Sequence, residues 1–414
     1  MEGSVTMSYQ FSEYIKKEEH DTFVKSHPLC NLLQSSSWSS VKENWDNKIV
    51  GVYEDGKLVA SSLVLIKQLP LRFTMMYIPR GPILDYKNEQ LVRFYFSSLN
   101  KWAKKYKCLF IKFDPSIIVR DFTLEQQDVD YSDSMKPILN ILIKNGAVHK
   151  GFTMNIKDTI QARFQANVYA KEDFMKSLPR HTQRLMKDAI KRDVKITRVG
   201  KDRIQDFADV VALTEQRKHV NLRNQDYFYR LMDIYNDDCY LFLAEVDISS
   251  TLKRLYKEKE VNDRELIEIQ DKKAPKKLRR LQDIEKSLTK DIHEFEQFSK
   301  EYPSKTVIAG VLSIRFGDTL EMLYAGMNSN FKKFMPQYYL YPSIMEYAFK
   351  EGCKFANMGG VEGDLQDGLT KFKSNFNPNI NELIGEFDFP VKKSLYYLSQ
   401  YAYKLRKAYF QKKK

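Results

Sequence analysis

The 414-residue chain has few of the residues and motifs that mark metal sites and nucleophilic enzymes. It has four cysteines, Cys30, Cys108, Cys239 and Cys353. They are far apart and form neither a Cys-x-x-Cys pair nor a metal-ligand spacing with any of the six histidines. The sequence also contains no Gly-x-Ser-x-Gly elbow, no His-Glu-x-x-His and no P-loop. We therefore expect no metal ion and no cofactor.

Long hydrophobic runs are absent as well. No apolar segment approaches the roughly 18 residues that a membrane-spanning helix needs, and no signal peptide precedes the first predicted strand. The isolated cysteines are typical of buried thiols in a reducing compartment. We expect a cytoplasmic protein, attached to a membrane at most peripherally, at the inner face.

The chain has more basic than acidic residues, 67 lysines and arginines against 54 aspartates and glutamates. The formal net charge of +13 indicates an anionic partner. One basic cluster lies on a predicted helix and contains Arg180, Arg184, Lys187 and Lys191. This cluster suits a solvated face and a phosphate contact about equally. A second cluster, in residues 391–414, predicts a basic amphipathic helix rich in tyrosine, which could also lie on an anionic membrane surface.

Two halves of the chain show the same order of predicted elements. In the first, two strand patterns flank Asp55-Gly56, a strong hairpin turn, and a third strand, a helix and a fourth strand follow. The second half repeats this order from Tyr240 to Met358. The predicted fold is mixed α/β (α+β), with two tandem GNAT-like units, the topology of acetyl-coenzyme A acyltransferases. We place the first unit at 1–150 and the second at 151–247 and 303–390.

A charged insert at 248–302 replaces the turn of the second hairpin. Apolar residues recur at steps of three and four on both sides of a break at Ala274-Pro275, and Lys259 and Asn262 occupy polar positions of the pattern. The pattern predicts two antiparallel helices forming a coiled-coil arm of roughly 30 to 35 Å. A flexible charged loop is the alternative.

Several segments, taken in order, resemble one family. They are Leu33–Lys42, Tyr77–Pro82, Asp114-Pro115, Arg217–Arg223 with Tyr227, Tyr324–Gly326, Gly368–Phe376 and Ile384–Phe387. Together they are similar to the Fem family of tRNA-dependent aminoacyltransferases (FemA, FemB, FemX and MurM), which build peptidoglycan interpeptide bridges. The run from Tyr77 to Tyr86 is most similar to MurM and the FemX-like proteins.

The resemblance implies a reaction and its partners. An amino acid, glycine, serine or alanine, would pass from aminoacyl-tRNA to the stem-peptide amine of a peptidoglycan precursor, either lipid II or a UDP-linked muramyl pentapeptide. The net positive charge is consistent with binding a polyanionic tRNA and a pyrophosphate. A homodimer, or a heterodimer with a related Fem protein, is a further expectation.

The resemblance also implies roles for individual residues. Lys373, with Phe372 beside it, would stabilise the oxyanion at the ester carbonyl, and Asp114 matches an aspartate near the acceptor amine. The residues implied to bind the precursor are Lys42, Arg223, Tyr227 and Tyr324. Arg223 and Tyr227 are four residues apart, so they share one helical face if the helix begins before residue 223.

Two surfaces are candidates for binding tRNA. One is formed by Arg180, Arg184, Lys187 and Lys191. The other is the arm tip, whose basic residues are Lys272, Lys273, Lys276, Lys277, Arg279 and Arg280. A solvated tip or a dimer contact is an equally simple interpretation of the arm.

Two other functions remain open. An acyltransferase that uses an acyl-coenzyme A is disfavoured because Gly-x-Gly and Gly-x-Ala, which cradle the coenzyme pyrophosphate, do not occur in the sequence. A non-enzymatic RNA-binding coiled-coil protein that has kept the fold is the other.

Overall fold

A computed structural model of the chain describes residues 8–218, 223–269 and 274–411, with side chains up to residue 402 apart from that of Lys218. The helices are α1 (Lys17–Ser26), α2 (Trp38–Val41), α3 (Glu89–Lys105), α4 (Met135–Lys144), α5 (Phe174–Ser177), α6 (Arg180–Lys191), α7 (Ile204–Lys218), α8 (Gln225–Tyr235), α9 (Ile248–Ile269), α10 (Pro275–Glu301), α11 (Pro336–Lys350), α12 (Gly368–Ser374) and α13 (Lys393–Gln411). The strands are β1 (Tyr9–Ser12), β2 (Asp46–Glu54), β3 (Lys57–Gln68), β4 (Thr74–Ile78), β5 (Ile83–Leu84), β6 (Cys108–Phe113), β7 (Ile118–Thr123), β8 (Val148–His149), β9 (Phe164–Tyr169), β10 (Lys195–Val199), β11 (Cys239–Asp247), β12 (Lys305–Phe316), β13 (Thr319–Met327), β14 (Phe355–Val361), β15 (Asn379–Leu383) and β16 (Phe387–Pro390).

The first sheet has the order β1-β2-β3-β4-β6-β16-β8, with β5 paired to β3. The β2–β3 hairpin turns at Asp55-Gly56, as the sequence predicts, and both residues have positive φ angles, 48° and 81°. Helix α3 buries one apolar face, including Tyr95, Phe96 and Trp102, in the core of this sheet. This half therefore folds as one helix-covered, mostly antiparallel sheet.

The second sheet has the order β10-β11-β12-β13-β14-β9-β15-β7. The chain order hairpin, strand, helix, parallel strand occurs in both sheets, as β2-β3-β4-α3-β6 and as β11-β12-β13-α11-β14. This confirms the predicted fold class of two mixed α/β units in tandem. Helix α11 begins at Pro336, and Pro342 lies inside it.

Two strands cross the boundary that we drew at residue 150. Strand β7 pairs with β15 in the second sheet, and β16 pairs with β6 and β8 in the first. The two units are thus joined by exchanged strands, which the local sequence pattern does not reveal. The domain division itself stays a prediction.

The insert starts where β11 ends and forms helices α9 and α10, which pack against each other in opposite directions. The buried Asn262 side chain donates a hydrogen bond to the Leu281 carbonyl oxygen at 3.2 Å, which satisfies the polar position of the seam. At the base, Phe298 stacks on Phe331 at 4.5 Å between ring centroids, so the arm is anchored in the second core. Supercoiling of the pair stays a prediction, and Lys272 and Lys273 lie outside the described residues.

Three of the four cysteines are buried, at Cys108, Cys239 and Cys353, and Cys30 is partly buried. Burial raises the pKa of the Cys108 thiol to about 12. Of the helices that the structure describes, none has the length and hydrophobicity to cross a bilayer.

Candidate active site

The structure brings together the four residues expected to bind the precursor. Lys42, Arg223 and Tyr227 line one cavity of about 320 Å³, with residues 41–45 on one wall and Asn224 and Arg230 on the other. Tyr324 lies beside it, and its hydroxyl donates to the hydroxyl of Tyr227 at 3.1 Å. The cavity therefore combines the segment around Lys42 with the segment around Arg223, which are far apart in the chain.

Local structure explains these positions. Lys42 ends helix α2, next to the buried Trp38. Helix α8 begins only at Gln225 because the Asn224 side chain caps it, accepting a hydrogen bond from the Tyr227 amide at 3.2 Å. The helix begins after Arg223, so the condition for a helical face shared by Arg223 and Tyr227 is not met. They still meet, because the Arg223 guanidinium lies 4.9 Å from the centre of the Tyr227 ring.

The cavity is strongly cationic. Burial, and secondarily the charge of Arg223, lower the pKa of the Lys42 ammonium below its usual value. In the part of the chain that the structure describes, neither Lys42 nor Arg223 has an ion-pair partner, whereas Arg230 pairs with Glu43. Two cations held together in this way favour binding of an anion.

Lys373 lies on helix α12, not on a strand. The Asp367 side chain caps this helix by accepting from the Leu369 amide at 2.7 Å and the Thr370 amide at 3.2 Å. The Lys373 side chain is buried, and its Nζ donates to the Gly360 carbonyl oxygen at 2.8 Å. Gly359 and Gly360 belong to strand β14.

Phe372 belongs to an aromatic cluster next to Lys373. Its ring lies 5.3 Å from Tyr341, 5.4 Å from Phe376 and 6.1 Å from Tyr338. The half-buried phenylalanine therefore leaves part of its surface accessible beside a buried ammonium group.

The basic helix α6 is attached to the same region. Its Thr182 hydroxyl donates to the carbonyl oxygen of Asn375, the residue that ends helix α12. Its four basic residues expected to contact tRNA are exposed, and their spacing of four, three and four places them on one face, at Arg180, Arg184, Lys187 and Lys191. Lys191 also lines a cleft with Lys276, Arg279 and Arg280 of the arm. The two surfaces that we proposed for tRNA are therefore neighbours.

Asp114 ends strand β6 and is buried between the units. It accepts a hydrogen bond from the Tyr77 hydroxyl at 3.0 Å and one from the Arg80 amide at 2.8 Å. Burial raises its pKa to about 6, against the opposing charge of Arg80. Both carboxyl oxygens thus hold neighbouring parts of the protein in place.

Arg80 and Glu321 were missed by the sequence analysis. Arg80 has a left-handed backbone, φ 55°, and its guanidinium donates to the Ala162 carbonyl oxygen at 2.7 Å. Ala162 in turn packs closely against Gly360, where an added Cβ would clash with it, and Gly360 is the residue whose carbonyl oxygen accepts from Lys373. Glu321 is a lone acid among Leu320, Met322 and Leu323, which was a usable signal in the sequence.

Glu321 lies where two strands separate. Strands β13 and β14 pair only as far as Glu321 and Asn357, although both strands continue beyond that point. Burial raises the pKa of the Glu321 carboxyl to about 7, and Arg80 and a hydrogen bond from Asn357 oppose the shift. The opening between the strands is flanked by Tyr324 on β13 and by the Gly359-Gly360 segment that contacts Lys373.

The metal-ligating types of side chain in the described residues do not form a metal site. Among the described residues, no three histidine, cysteine, aspartate or glutamate side chains are grouped closely enough to hold one.

Comparisons with known proteins cover almost the whole chain. The sequence profile of the FemAB family matches residues 15–404. A lipid II:glycine glycyltransferase of Staphylococcus epidermidis is 29% identical over 405 residues, which cover 93% of this chain and 94% of that protein. A protein of the same name from Staphylococcus aureus is 28% identical over 408 residues, with coverage of 93% and 94%. The crystal structure of FemX has a TM-score of 0.75 at 27% identity and covers 95% of this chain and 99% of that one.

Proposed function

This chain belongs to the FemAB family, and from that premise we propose that it is an aminoacyltransferase of cell-wall synthesis. It transfers one amino acid from an aminoacyl-tRNA to the stem-peptide amine of lipid II. The names of its relatives favour glycine as the amino acid and lipid II as the acceptor. Serine, alanine and a UDP-linked muramyl pentapeptide remain as alternatives to be tested.

The cationic cavity is the observation that carries the proposal. Burial, and secondarily the charge of Arg223, disfavour the Lys42 ammonium, and a diphosphate placed between Lys42 and Arg223 would stabilise it. Arginine can bind a phosphate through two parallel hydrogen bonds, and the paired hydroxyls of Tyr227 and Tyr324 add further donors. Both lipid II and the UDP-linked precursor carry such a diphosphate.

The reaction needs alignment more than activation. The acceptor amine attacks the ester carbonyl carbon, a C–N bond forms, the C–O bond to the tRNA ribose breaks, and the amine proton passes to the released hydroxyl. Negative charge develops on the carbonyl oxygen before the C–O bond breaks. Lys373 is the donor for that oxygen: an ammonium group has three N–H bonds, and the bond to Gly360 fixes its direction.

Helix α6 supports the tRNA as donor substrate. Its exposed basic face would contact phosphates, while its Thr182 contact with Asn375 places it beside the helix of Phe372 and Lys373. Phe372 could stack against the terminal base of the tRNA, as aromatic side chains do with unpaired bases. The basic cleft between Lys191 and the arm would extend the surface that contacts tRNA phosphates.

The test combines both substrates with the purified full-length chain. Lipid II is incubated with a mixed pool of charged tRNAs, or with acetyl-coenzyme A as a donor control, and the mass added to the acceptor is measured. We expect the mass of one amino acid with charged tRNA and none with the coenzyme. Lys373→Met should abolish most of the transfer, and Lys371→Met, an exposed neighbour on the same helix, should not. Unchanged transfer by Lys373→Met would refute the catalytic assignment.

A second experiment addresses tRNA. Neutralising Arg180, Arg184 and Lys187 together should weaken tRNA binding about a hundredfold and flatten its dependence on salt, while lipid II binding is unchanged. If tRNA binding is retained, helix α6 is not the contact surface, and the same measurement on Lys276, Arg279 and Arg280 tests the arm.

A further inference from the structure

An exposed leucine projects from the end of the first hairpin. Leu71 has 86% of its surface exposed, the largest fraction among the large hydrophobic residues that the structure describes. It lies in a one-turn segment, Pro70–Arg72, between β3 and β4. Both Leu71 and Arg72 have left-handed backbones, with φ 61° and 59°, a conformation that is unfavourable for a residue with a side chain. Such strain at an exposed apolar residue points to a binding role.

The turn adjoins the first part of helix α13. Leu69 and Phe73, on either side of it, pack against a small buried cluster that contains Tyr396. Tyr396 faces the protein and donates to Asp388 at 2.8 Å. The opposite side of α13 exposes Tyr397, Leu398 and Tyr401, at 61%, 63% and 62%. Leu71 lies between Leu69 and Phe73, and the exposed residues of α13 follow Tyr396, so both sets border the same buried cluster. We call Leu71, Tyr397, Leu398 and Tyr401 together the Leu71 face.

Basic residues surround this face. Arg72, Lys107 and Lys393 are exposed, and a hydrogen bond from the Thr74 amide to the Lys107 carbonyl oxygen places Lys107 next to the turn. The Lys392 ammonium lies 5.1 Å from the centre of the Phe73 ring. Within the described ranges, none of these four cations has a carboxylate partner within ion-pair distance. An apolar, aromatic surface with a rim of unneutralised cations complements an anionic lipid surface.

The Leu71 face is also close to the cationic cavity. Trp45 lines that cavity, and the Lys67 ammonium near the end of β3 lies 5.5 Å from the centre of its ring. Lys67 and Leu71 are four positions apart, which the backbone spans in at most about 14 Å. The diphosphate of a lipid-linked substrate lies at the bilayer surface, so a protein that binds it needs its membrane contact near the cavity that holds the diphosphate.

We propose that the Leu71 face docks on an anionic phospholipid bilayer and thereby presents the cavity to the diphosphate of the lipid-linked acceptor. This inference rests on the proposed function for the identity of the acceptor. Leu71 and the exposed side chains of α13 enter the interfacial layer, and the surrounding lysines and arginine contact lipid phosphates. Helix α13 therefore does not act alone, because the turn supplies Leu71, the most exposed of the four side chains.

The experiment measures binding of the full chain to vesicles without tRNA or precursor. Vesicles contain phosphatidylcholine alone or phosphatidylcholine with phosphatidylglycerol, and bound protein is separated by sedimentation. We expect binding only with phosphatidylglycerol, weakened by salt. Leu71→Glu should lower the partition coefficient about tenfold, since a leucine side chain is lost from the interface and a negative charge is added. The matched control is Ile267→Glu on the arm, whose leucine-sized side chain is 70% exposed.

Two further measurements separate the possible causes of a loss. Leu71→Glu should transfer normally to lipid II solubilised in detergent, which shows an intact fold and leaves the proposed function untouched by the result. Equal partitioning of Leu71→Glu and Ile267→Glu would overturn the proposal. So would a wild-type dimer, seen by analytical ultracentrifugation without vesicles, that Leu71→Glu dissociates, because the face would then belong to a second copy of the chain.

Discussion

Replacing Glu321 by glutamine should make the protein more stable at neutral and alkaline pH. Burial raises the carboxyl pKa from 4.5 to about 7 in the folded protein. The folded state therefore holds this proton more tightly than the unfolded state does, and stability falls as the pH rises from about 4.5 to about 7. A shift of about 2.5 units corresponds to about 3 kcal/mol at pH 8 and to nothing at pH 4. Glutamine keeps a hydrogen-bonding group for Asn357 without the charge.

The assay is urea unfolding of wild-type protein and Glu321→Gln at several pH values between 4 and 8. The difference in unfolding free energy should grow with pH, and Glu172→Gln, an exposed glutamate in the loop before α5, should show no such growth. Infrared spectra should also show a protonated carboxyl that disappears near pH 7 in the wild type and is missing in Glu321→Gln. A difference that does not change with pH would refute the argument that this carboxyl is desolvated.

Three further predictions concern the other parts of the site. In steady-state assays, Arg223→Ala should raise the KM for lipid II about 10- to 100-fold, because charge-assisted hydrogen bonds are lost. Arg230→Ala should change the KM less than fivefold, because the Arg230 side chain is paired with Glu43. Equal effects of the two substitutions would contradict the cavity assignment. The pKa of Asp114 in the folded protein, about 6, lies above the usual 3.8. The unfolding free energy of Asp114→Asn, measured in urea, should therefore rise relative to the wild type by up to about 3 kcal/mol between pH 4 and above 6. A difference between the two proteins that does not change with pH would argue against burial of the Asp114 carboxylate. Replacing residues 260–284 of the arm by a short glycine turn should weaken tRNA binding and leave lipid II binding intact, as measured in titrations of each ligand. The reverse pattern would show that the arm does not belong to the surface that binds tRNA.

The base of the arm should not be included in such a deletion. An Asp-Gly turn suffices in the first hairpin, but a deletion from Ile248 to Phe298 closed by such a turn would also remove residues of the second core. The structure shows that Phe295 and Phe298 pack against Phe331 and Phe334 in the second core. Their removal would expose these rings and lower stability for reasons unrelated to tRNA.

Much of the fold could be predicted because its signals are local. The Asp55-Gly56 turn, the alternating strands beside it and the heptad spacing of the arm each depend on residues within a few positions of one another. The repeated element order followed from these signals. The exchange of β7 and β16 between the sheets could not be predicted, because strand pairing over such separations depends on the whole packed structure rather than on either strand.

In the candidate site, too, some features could be predicted from the sequence and others depend on the packed structure. The sequence by itself, through its ordered motifs, singled out Lys42, Arg223 and Lys373 as chemically important and indicated an anionic substrate through the net charge. Only the tertiary structure decided that Lys42 and Arg223 share one cavity, that Lys373 is buried against Gly360, and that Arg80 and Glu321 lie between the units. The physical reason is that desolvation and charge coupling arise from contacts between distant segments, and these contacts exist only once the two sheets have packed together.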